Sequence, residues 1–390
     1  MFNDYIDFFH DIFEKQNGVP VIYSQISHSK NNQILFNSID ESLNENNKLF
    51  FRLKYVPDYL DLKLKQESLF KTKVIKEVKG YSCYLQDFNH VNEYLKVQFS
   101  LKKKSAIKKY IRRLETSFNI RYKMFYGYID EAEYNFIMNA LRNMLDARFK
   151  QRQETDIYKS DWDKYKALII KLIKLKKGSL FVVYNESEPI AITANYHFNN
   201  KIFFYGIPSY NIDYASFRLG HVVLYKEIDW CIKNNYLVFE TGRGDFEYKK
   251  QWCNNVYNFN YNLIYKKNSI PAFFAFKKEY FKHILIKFLR EKKVNVLFYQ
   301  IKNKLLNKKS KIKTHKKQDN FRLVHINETE VSNYRNEINP FEKKYSKLRK
   351  PIYDFLYLNK EHVSNIKIYT IKNQEKFLIK GKSNKQLIIA

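Results

Sequence analysis

Six side chains able to do chemistry crowd into the string FETGRGDFEYKKQW, residues 239–252. Glu240, Asp245 and Glu247 are carboxylates, Tyr248 is a phenol, and Arg243 and Lys249 are cations. A carboxylate can take a proton from a nucleophile and a phenol can give one to a leaving group. Arg243 and Lys249 can hold an anion. The string follows a strand-like run, YLVFET (236–241). Strand ends facing a cleft are where α/β sheets commonly bind ligands. Asp245 is also a natural cap for the short helix that follows.

A second feature lies upstream. Gly220 sits where the helix FRLGHVVLYKEIDWCIKNN (217–235) begins. Glycine lets a ligand come close to the backbone. Free N–H groups and the helix dipole then favour an anion. The same glycine would also allow close packing of helix on sheet. His197 and His221 fall in this region, where a lone histidine is ordinarily structural. Cys83, Cys231 and Cys253 are far apart and form no CxxC pair, so no zinc site, other metal site or disulfide framework is expected. No HExxH, GxSxG, Walker or GxGxxG motif is present.

Strands and helices must hold these residues in place. SLFVVYN (179–185), IAITANYHF (190–198) and KIFFYGI (201–207) read as three meandering strands, with Asn199–Asn200 as a tight turn. The helix at 217–235, the strand at 236–241, the short helix at 246–252 and the strand at 256–265 follow. That order predicts an α+β layer whose antiparallel sheet turns mixed. Earlier, Ile107, Tyr110, Ile111, Leu114 and Phe118 recur at helical spacing over 102–118, among seven Lys and Arg. Helices at 131–152 and 160–177 come next, the second ending at Gly178. Strands are expected at 48–56 and 81–88, with a surface loop at 37–47.

Composition bounds the partners. The chain has 390 residues, a net charge of +30 and 17% aromatic residues, which excludes disorder over most of its length. Such a charge favours nucleic acid, anionic lipid or phosphorylated ligands, although a Lys-, Asn- and Ile-rich composition produces it without selection for a partner. No run approaches the roughly 18 apolar residues of a membrane helix. The amino terminus lacks a basic leader region, so a cytoplasmic protein is expected. Residues 271–317 carry 15 Lys or Arg against two acids. Over 273–289 an aromatic stripe is interleaved with lysines. It suits packing against a core, or an anionic membrane at the inner face. Residues 318–390 hold enough apolar positions for a small folded unit of no evident chemistry.

The strands at 178–210, the FRLGHVVLYKEIDWCI helix and the VFETGRGDFEYKKQW string together resemble the GNAT-superfamily acyltransferases. The resemblance is to the CelD/BcsL-like group found beside polysaccharide biosynthesis genes, related in fold to Fem aminoacyltransferases. It covers about 80–266. It implies tandem GNAT-like mixed sheets flanked by helices, with a basic C-terminal extension: an N-terminal half over 1–150, an acyltransferase domain over 151–270, a basic segment over 271–317 and a module over 318–390. The implied donor is acetyl-CoA or another acyl-CoA, and the implied acceptor a sugar, nucleotide-sugar or glycan precursor. Family members usually show Q/R-x-x-G-x-G/A at the pyrophosphate. This chain has Arg218, Leu219, Gly220, His221 and Val222 there, with one glycine. Glu240 stands where the family string usually has Asp. The resemblance implies Glu240 or Asp245 as base, Tyr248 as acid, and Arg243, Glu247 and Lys249 around the substrate. A Fem-like enzyme using aminoacyl-tRNA, and a basic scaffold without catalysis, are the alternatives.

Overall fold

The computed structural model describes residues 5–13, 18–39, 49–156, 158–292, 321–324, 334–371 and 376–389. In chain order the elements are β1 (Tyr5–Asp7), α1 (Phe8–Phe13), β2 (Tyr23–His28), β3 (Ile34–Asn37), β4 (Phe50–Pro57), β5 (Leu60–Leu64) and β6 (Phe70–Tyr84). Then come α2 (Val91–Gln98), α3 (Leu101–Ser117), β7 (Ile120–Phe125), α4 (Glu131–Arg152) and α5 (Trp162–Lys174). The central stretch is β8 (Gly178–Asn185), β9 (Glu188–Phe198), β10 (Ile202–Tyr210), α6 (Leu219–Lys233), β11 (Val238–Arg243) and α7 (Glu247–Trp252). It continues into β12 (Asn255–Lys266) and α8 (Ile270–Glu291). The last part holds β13 (Arg322–Val324), β14 (Tyr334–Ile338), α9 (Arg349–Asn359), β15 (Lys367–Ile371), β16 (Lys376–Lys380) and β17 (Lys385–Ile389). The fold is α+β, with several sheets flanked by helices.

The described residues gather into two units. One takes Met1–Gly80, Arg243–Asp245 and Val256–Lys317; the other takes Tyr81–Gly242, Phe246–Asn255 and Gln318–Ala390. The sequence division at 150 falls in α4, inside the second unit, and the division at 270 falls inside the first. In the first unit β1 pairs parallel with β4, and β4 pairs antiparallel with β12. A small sheet of order β3-β2-β5 accompanies them. Helix α8 packs by Ala272 and Phe276, both buried, with Tyr261 and Leu263 of β12 in the same core region.

In the second unit strands run in the order β11-β10-β9-β8-β7. Strand β7 and helix α2 do not stand out in the sequence, because IRYKMF is short and carries two cations and VNEYLKVQ spans barely two turns. β8 and β9 are buried along nearly their whole length, as continuous apolar runs demand. The β9–β10 turn is Asn199–Asn200, at φ of 46° and 54°. A two-residue hairpin turn needs positive φ, and Asn tolerates it. β10 pairs parallel with β11 only from Ile202–Val238 to Phe204–Glu240. Its register against β9 shifts between Phe204 and Ile207. Gly206 sits inside that irregularity. A Cβ there would lie 2.4 Å from the Ala194 carbonyl oxygen and 2.9 Å from the Tyr196 ring, so no other residue fits.

Helix α6 covers the sheet with Val222, Val223, Ile228 and Cys231, all buried. It also carries a buried acid. Glu227 Oε1 accepts from Thr193 Oγ1 at 2.5 Å and Asn195 Nδ2 at 2.7 Å. Glu227 Oε2 and Asn195 Oδ1 have no hydrogen-bond partner among the described residues. The C-terminal strands form an antiparallel sheet, β13-β17-β16-β15-β14, whose helix α9 contributes Ile352, Tyr353, Phe355 and Leu356 to the same core as α6.

Burial raises the Glu227 carboxyl to about 8. An unfolded chain releases that proton near the ordinary glutamate value. The protonated group therefore stabilises fully below that value, and its contribution disappears as pH rises to the folded one. Glu227→Gln should melt like wild type near about pH 4 and higher than wild type near about pH 9. Thermal melts at both values check this, and an equal difference at both would rule out the titration.

Candidate active site

The cleft of interest lies wholly in the second unit and encloses about 690 Å³. α4 supplies Arg148 and Arg152. β10 supplies Tyr205, Pro208 and Tyr210, α6 supplies Arg218 through His221, and the start of α7 supplies Phe246 and Tyr248. The parting of β10 from β11 beyond Phe204 opens the space. The bulge at Gly206 keeps Tyr205 and Tyr210 close enough for their hydroxyls to hydrogen-bond. Arg148 Nη1 donates to the Pro208 carbonyl at 2.8 Å, tying α4 to the far end of β10.

The start of α6 is open. Arg218 takes the left-handed conformation, φ 52° and ψ 49°, and no side chain caps the helix. The His221 and Val222 N–H groups bond back to the Arg218 carbonyl at 2.8 and 3.4 Å. No backbone acceptor takes the N–H groups of Leu219 and Gly220 among the described residues. A Cβ on Gly220 would meet the Tyr210 ring at 3.6 Å, which is ordinary contact. Packing therefore does not require glycine here. An uncapped helix start with cationic Arg218 and Arg148 at the same cleft is suited to an anion.

Two further side chains shape the chemistry. Burial pushes the Tyr248 phenol up to about 12, reinforced by Cys253 and opposed by Arg148. Tyr248 thus keeps its proton at neutral pH and can donate it. His221 Nδ1 accepts from Trp252 Nε1 at 2.9 Å, and its ring stacks between Tyr110 and Trp252. Burial, then Arg218, holds its pKa below the ordinary value. The neutral imidazole therefore carries its proton on Nε2.

The structure brings Arg218, Leu219, Gly220, His221 and Tyr248 to one cleft, as the sequence suggests. The other predicted site residues lie elsewhere. Val222 is buried in the core. Glu240 is fully buried, and its Oε1 accepts from the Gly242 N–H at 2.6 Å. Lys249 is buried too. Its Nζ donates to the carbonyls of Thr241 at 2.5 Å and Gly242 at 3.2 Å. Burial lowers its pKa to about 8, against the pull of Glu240. Lys249 lies one residue past Tyr248 and so points about 100° away around the short helix, into the protein. Together Glu240 and Lys249 hold the end of β11, where Gly242 takes φ 71°. Glu247 is exposed and pairs with Lys250 at 3.1 Å. Arg243 and Asp245 belong to the first unit, where the Arg243 guanidinium lies over the Tyr55 ring at 4.4 Å. No carboxylate lines the cleft among the described residues.

Sequence reasoning missed Arg148, Arg152, Tyr205, Tyr210 and Phe246. A signal existed for some: Arg148, Gln151 and Arg152 recur at i, i+3 and i+4 on one helix face, the face that meets the cleft. Among the described residues, no group of three His, Cys, Asp or Glu is placed to hold a metal ion. No described helix is long and apolar enough to cross a membrane.

The cleft thus joins an uncapped helix start, two arginines and a protonated phenol beside the mixed sheet. Residues 102–250 match the family model described as an acetyltransferase (GNAT) domain. The chain therefore carries a GNAT-type acetyltransferase domain, and the protein is an acyltransferase. Among solved structures it is similar to FemX, at 9% identity over 54% of this chain and 71% of that one, with a TM-score of 0.39. It is also similar to a protein of unknown function from Bacteroides thetaiotaomicron, at 10% identity over 55% and 70%, TM-score 0.37. A tandem GNAT protein from the clavulanic acid biosynthesis pathway matches at 6% identity over 57% and 65%, TM-score 0.30. No curated protein matches the chain at a significant level.

If Gly220 serves ligand approach and not packing, Gly220→Val should leave the melting temperature of the free protein close to wild type. The same change should weaken stabilisation by coenzyme A at least about tenfold in apparent Kd, a cost of about 1.4 kcal/mol. Thermal shift across a coenzyme A titration checks both. A destabilised free protein with normal ligand response would assign the glycine to packing instead.

Proposed function

We propose that the protein is an acyl-CoA-dependent N- or O-acyltransferase whose acceptor is a sugar, nucleotide-sugar or glycan precursor. The observation that carries this reading is the uncapped start of α6 facing the cleft, with Gly220 free of any packing demand. The Leu219 and Gly220 N–H groups suit the donor's pyrophosphate, and Arg218 adds charge. The opening between β10 and β11 suits an extended thioester arm. The exposed Phe246 ring, stacked on Tyr248 at 6.1 Å, offers an aromatic face to a sugar ring.

Direct transfer moves the acyl group from sulfur to the acceptor nitrogen or oxygen. The acceptor loses a proton and the leaving thiolate gains one. Tyr248 supplies the proton to the thiolate. The expected base, Glu240, lies buried at the end of β11 with one oxygen engaged by Gly242. It reaches an acceptor only through an intervening proton carrier. An amine acceptor delivered in its neutral form needs less from that base than a hydroxyl does.

A second reading, aminoacyl-tRNA as donor, has its own observation. Lys104, Lys108, Lys109, Arg112 and Lys226 line a groove of about 670 Å³ between α3 and α6. Glu115, its one acid, is taken by Lys226 at 3.3 Å. Lys104, Lys108 and Arg112 repeat at i, i+4 and i+8, a like-charge spacing that costs helix stability. Stabilisation by acetyl-CoA but not by tRNA supports the first reading; the reverse supports the second.

Tyr248→Phe removes the proton donor and keeps the ring. With acetyl-CoA as donor it should lower kcat at least about tenfold while leaving KM for the donor and the melting temperature nearly unchanged. Wild-type kcat in the variant would remove Tyr248 from the reaction.

A further inference from the structure

Helix α8 packs in the first unit with one face only. Ala272 and Phe276 are buried. Glu279 accepts from the Tyr261 hydroxyl at 2.9 Å and pairs with Arg52 at 3.5 Å. His283 lies 3.7 Å from Glu77. These positions recur every three to four residues, as one helix face requires. At 3.6 residues per turn, Phe273, Phe274, Phe281, Ile284, Leu285 and Phe288 occupy a separate arc of roughly 120°, on the side away from the packed one.

That second arc is exposed: Phe274 is 67% accessible, Phe281 61% and Leu285 57%. Four phenylalanines, an isoleucine and a leucine in one exposed stripe are unusual, because contiguous exposed apolar surface marks a contact with a partner or a lipid phase. The arc's charges identify which. Lys277 sits within it, its ammonium 5.4 Å from the Phe273 ring and 5.8 Å from the Phe281 ring. Lys278, Lys282 and Lys287 are on the helix as well, while Glu279, the one acid from Ile270 to Leu289, is on the packed face. At the start of α8, Lys71, Lys266 and Lys267 line an open groove with Phe273 and Phe274. Aromatic rings beside long cationic side chains suit the boundary between acyl chains and anionic headgroups. Rings enter the apolar side, and lysine stems extend back to the phosphates.

We propose that α8 docks the protein on an anionic lipid surface, with Phe274, Phe281 and Leu285 inserted and Lys277, Lys278 and Lys282 at the headgroups. Peripheral attachment of this kind needs no membrane-crossing helix. It stands on the first unit alone and is independent of the donor and acceptor proposed above.

Vesicle co-sedimentation of the full chain tests it, with phosphatidylcholine vesicles with and without phosphatidylglycerol. The wild type should bind the anionic vesicles at least about tenfold more tightly than the neutral ones, and added salt should weaken that binding. The triple variant Phe274→Glu, Phe281→Glu, Leu285→Glu changes only exposed positions, so its melting temperature should match wild type. It should bind anionic vesicles at least about tenfold more weakly. The single variant Phe274→Ser serves the same comparison should the triple variant melt early. Equal weak binding of wild type to both vesicles would overturn the proposal. So would wild-type binding by the folded triple variant, because general attraction from the +30 charge would then account for it. A wild-type dimer that the triple variant dissociates, with no lipid binding by either, would assign the stripe to a second copy instead.

Discussion

The separation of β10 from β11 past Phe204 and Glu240 is the constraint on which the rest of the catalytic unit depends. Paired parallel strands satisfy each other's backbone groups, and a sheet does not open without a cause. Here the cause is one residue without a side chain. Gly206 lets β10 change register against β9 where the Ala194 carbonyl crowds it. Beyond that point β10 follows β9 and leaves β11. Three things then become geometrically available: the space of the cleft, the approach of Tyr205 to Tyr210, and an open start for α6 beside them. Lys249 and Glu240 serve the same arrangement from the other strand. They hold the end of β11 by its own carbonyl and amide groups, which the parted neighbour no longer engages there.

Much of this was legible in the sequence. Asn199–Asn200 marked the β9–β10 turn, and the run from β8 to α7 was readable from apolar runs and turn residues. Gly220 pointed to the helix start that lines the cleft. The tightly packed string after β11 was harder to read. Its composition promised one reactive cluster, yet neighbouring residues on a short helix point about 100° apart, so Tyr248 and Lys249 face opposite environments. Lys249 looks like a surface cation in a list of residues and becomes a buried clamp only when the Thr241 and Gly242 carbonyls come close. Arg148 was hard to place for a different reason. Its role depends on a helix 60 residues before the Pro208 carbonyl it meets.

The C-terminal module, silent as sequence, acquires a position. Its helix α9 packs on the turn Ile212–Phe217 that leads into α6. Asp354 accepts from the Ser216 hydroxyl, Tyr353 lies 4.6 Å from the Tyr214 ring, and Tyr357 meets Phe217 edge-on. That turn sets the left-handed Arg218, and Arg218 sets where the free N–H groups of α6 point. Residues far from the cleft in sequence therefore bear on the helix start that lines it through one short turn.

The first unit is assembled from chain segments on either side of residues 81–242 of the second. β4 finds its antiparallel neighbour in β12, and Asn258 donates to Asp58 across 200 residues. A ribosome adding about 5–20 residues per second needs on the order of 10–40 s to cover that gap. For that interval β4, with Phe50, Phe51, Leu53 and Val56, has emerged without the strand that will cover it. The transferase unit between them is meanwhile completing most of its own sheet. Synthesis thus has an order: the sheet of the second unit up to Asn255 precedes the strand that completes the first unit, and the C-terminal part of the second unit comes last. Nascent chains of this protein spend their most exposed seconds with one edge of an aromatic strand near the amino terminus still waiting for its neighbour.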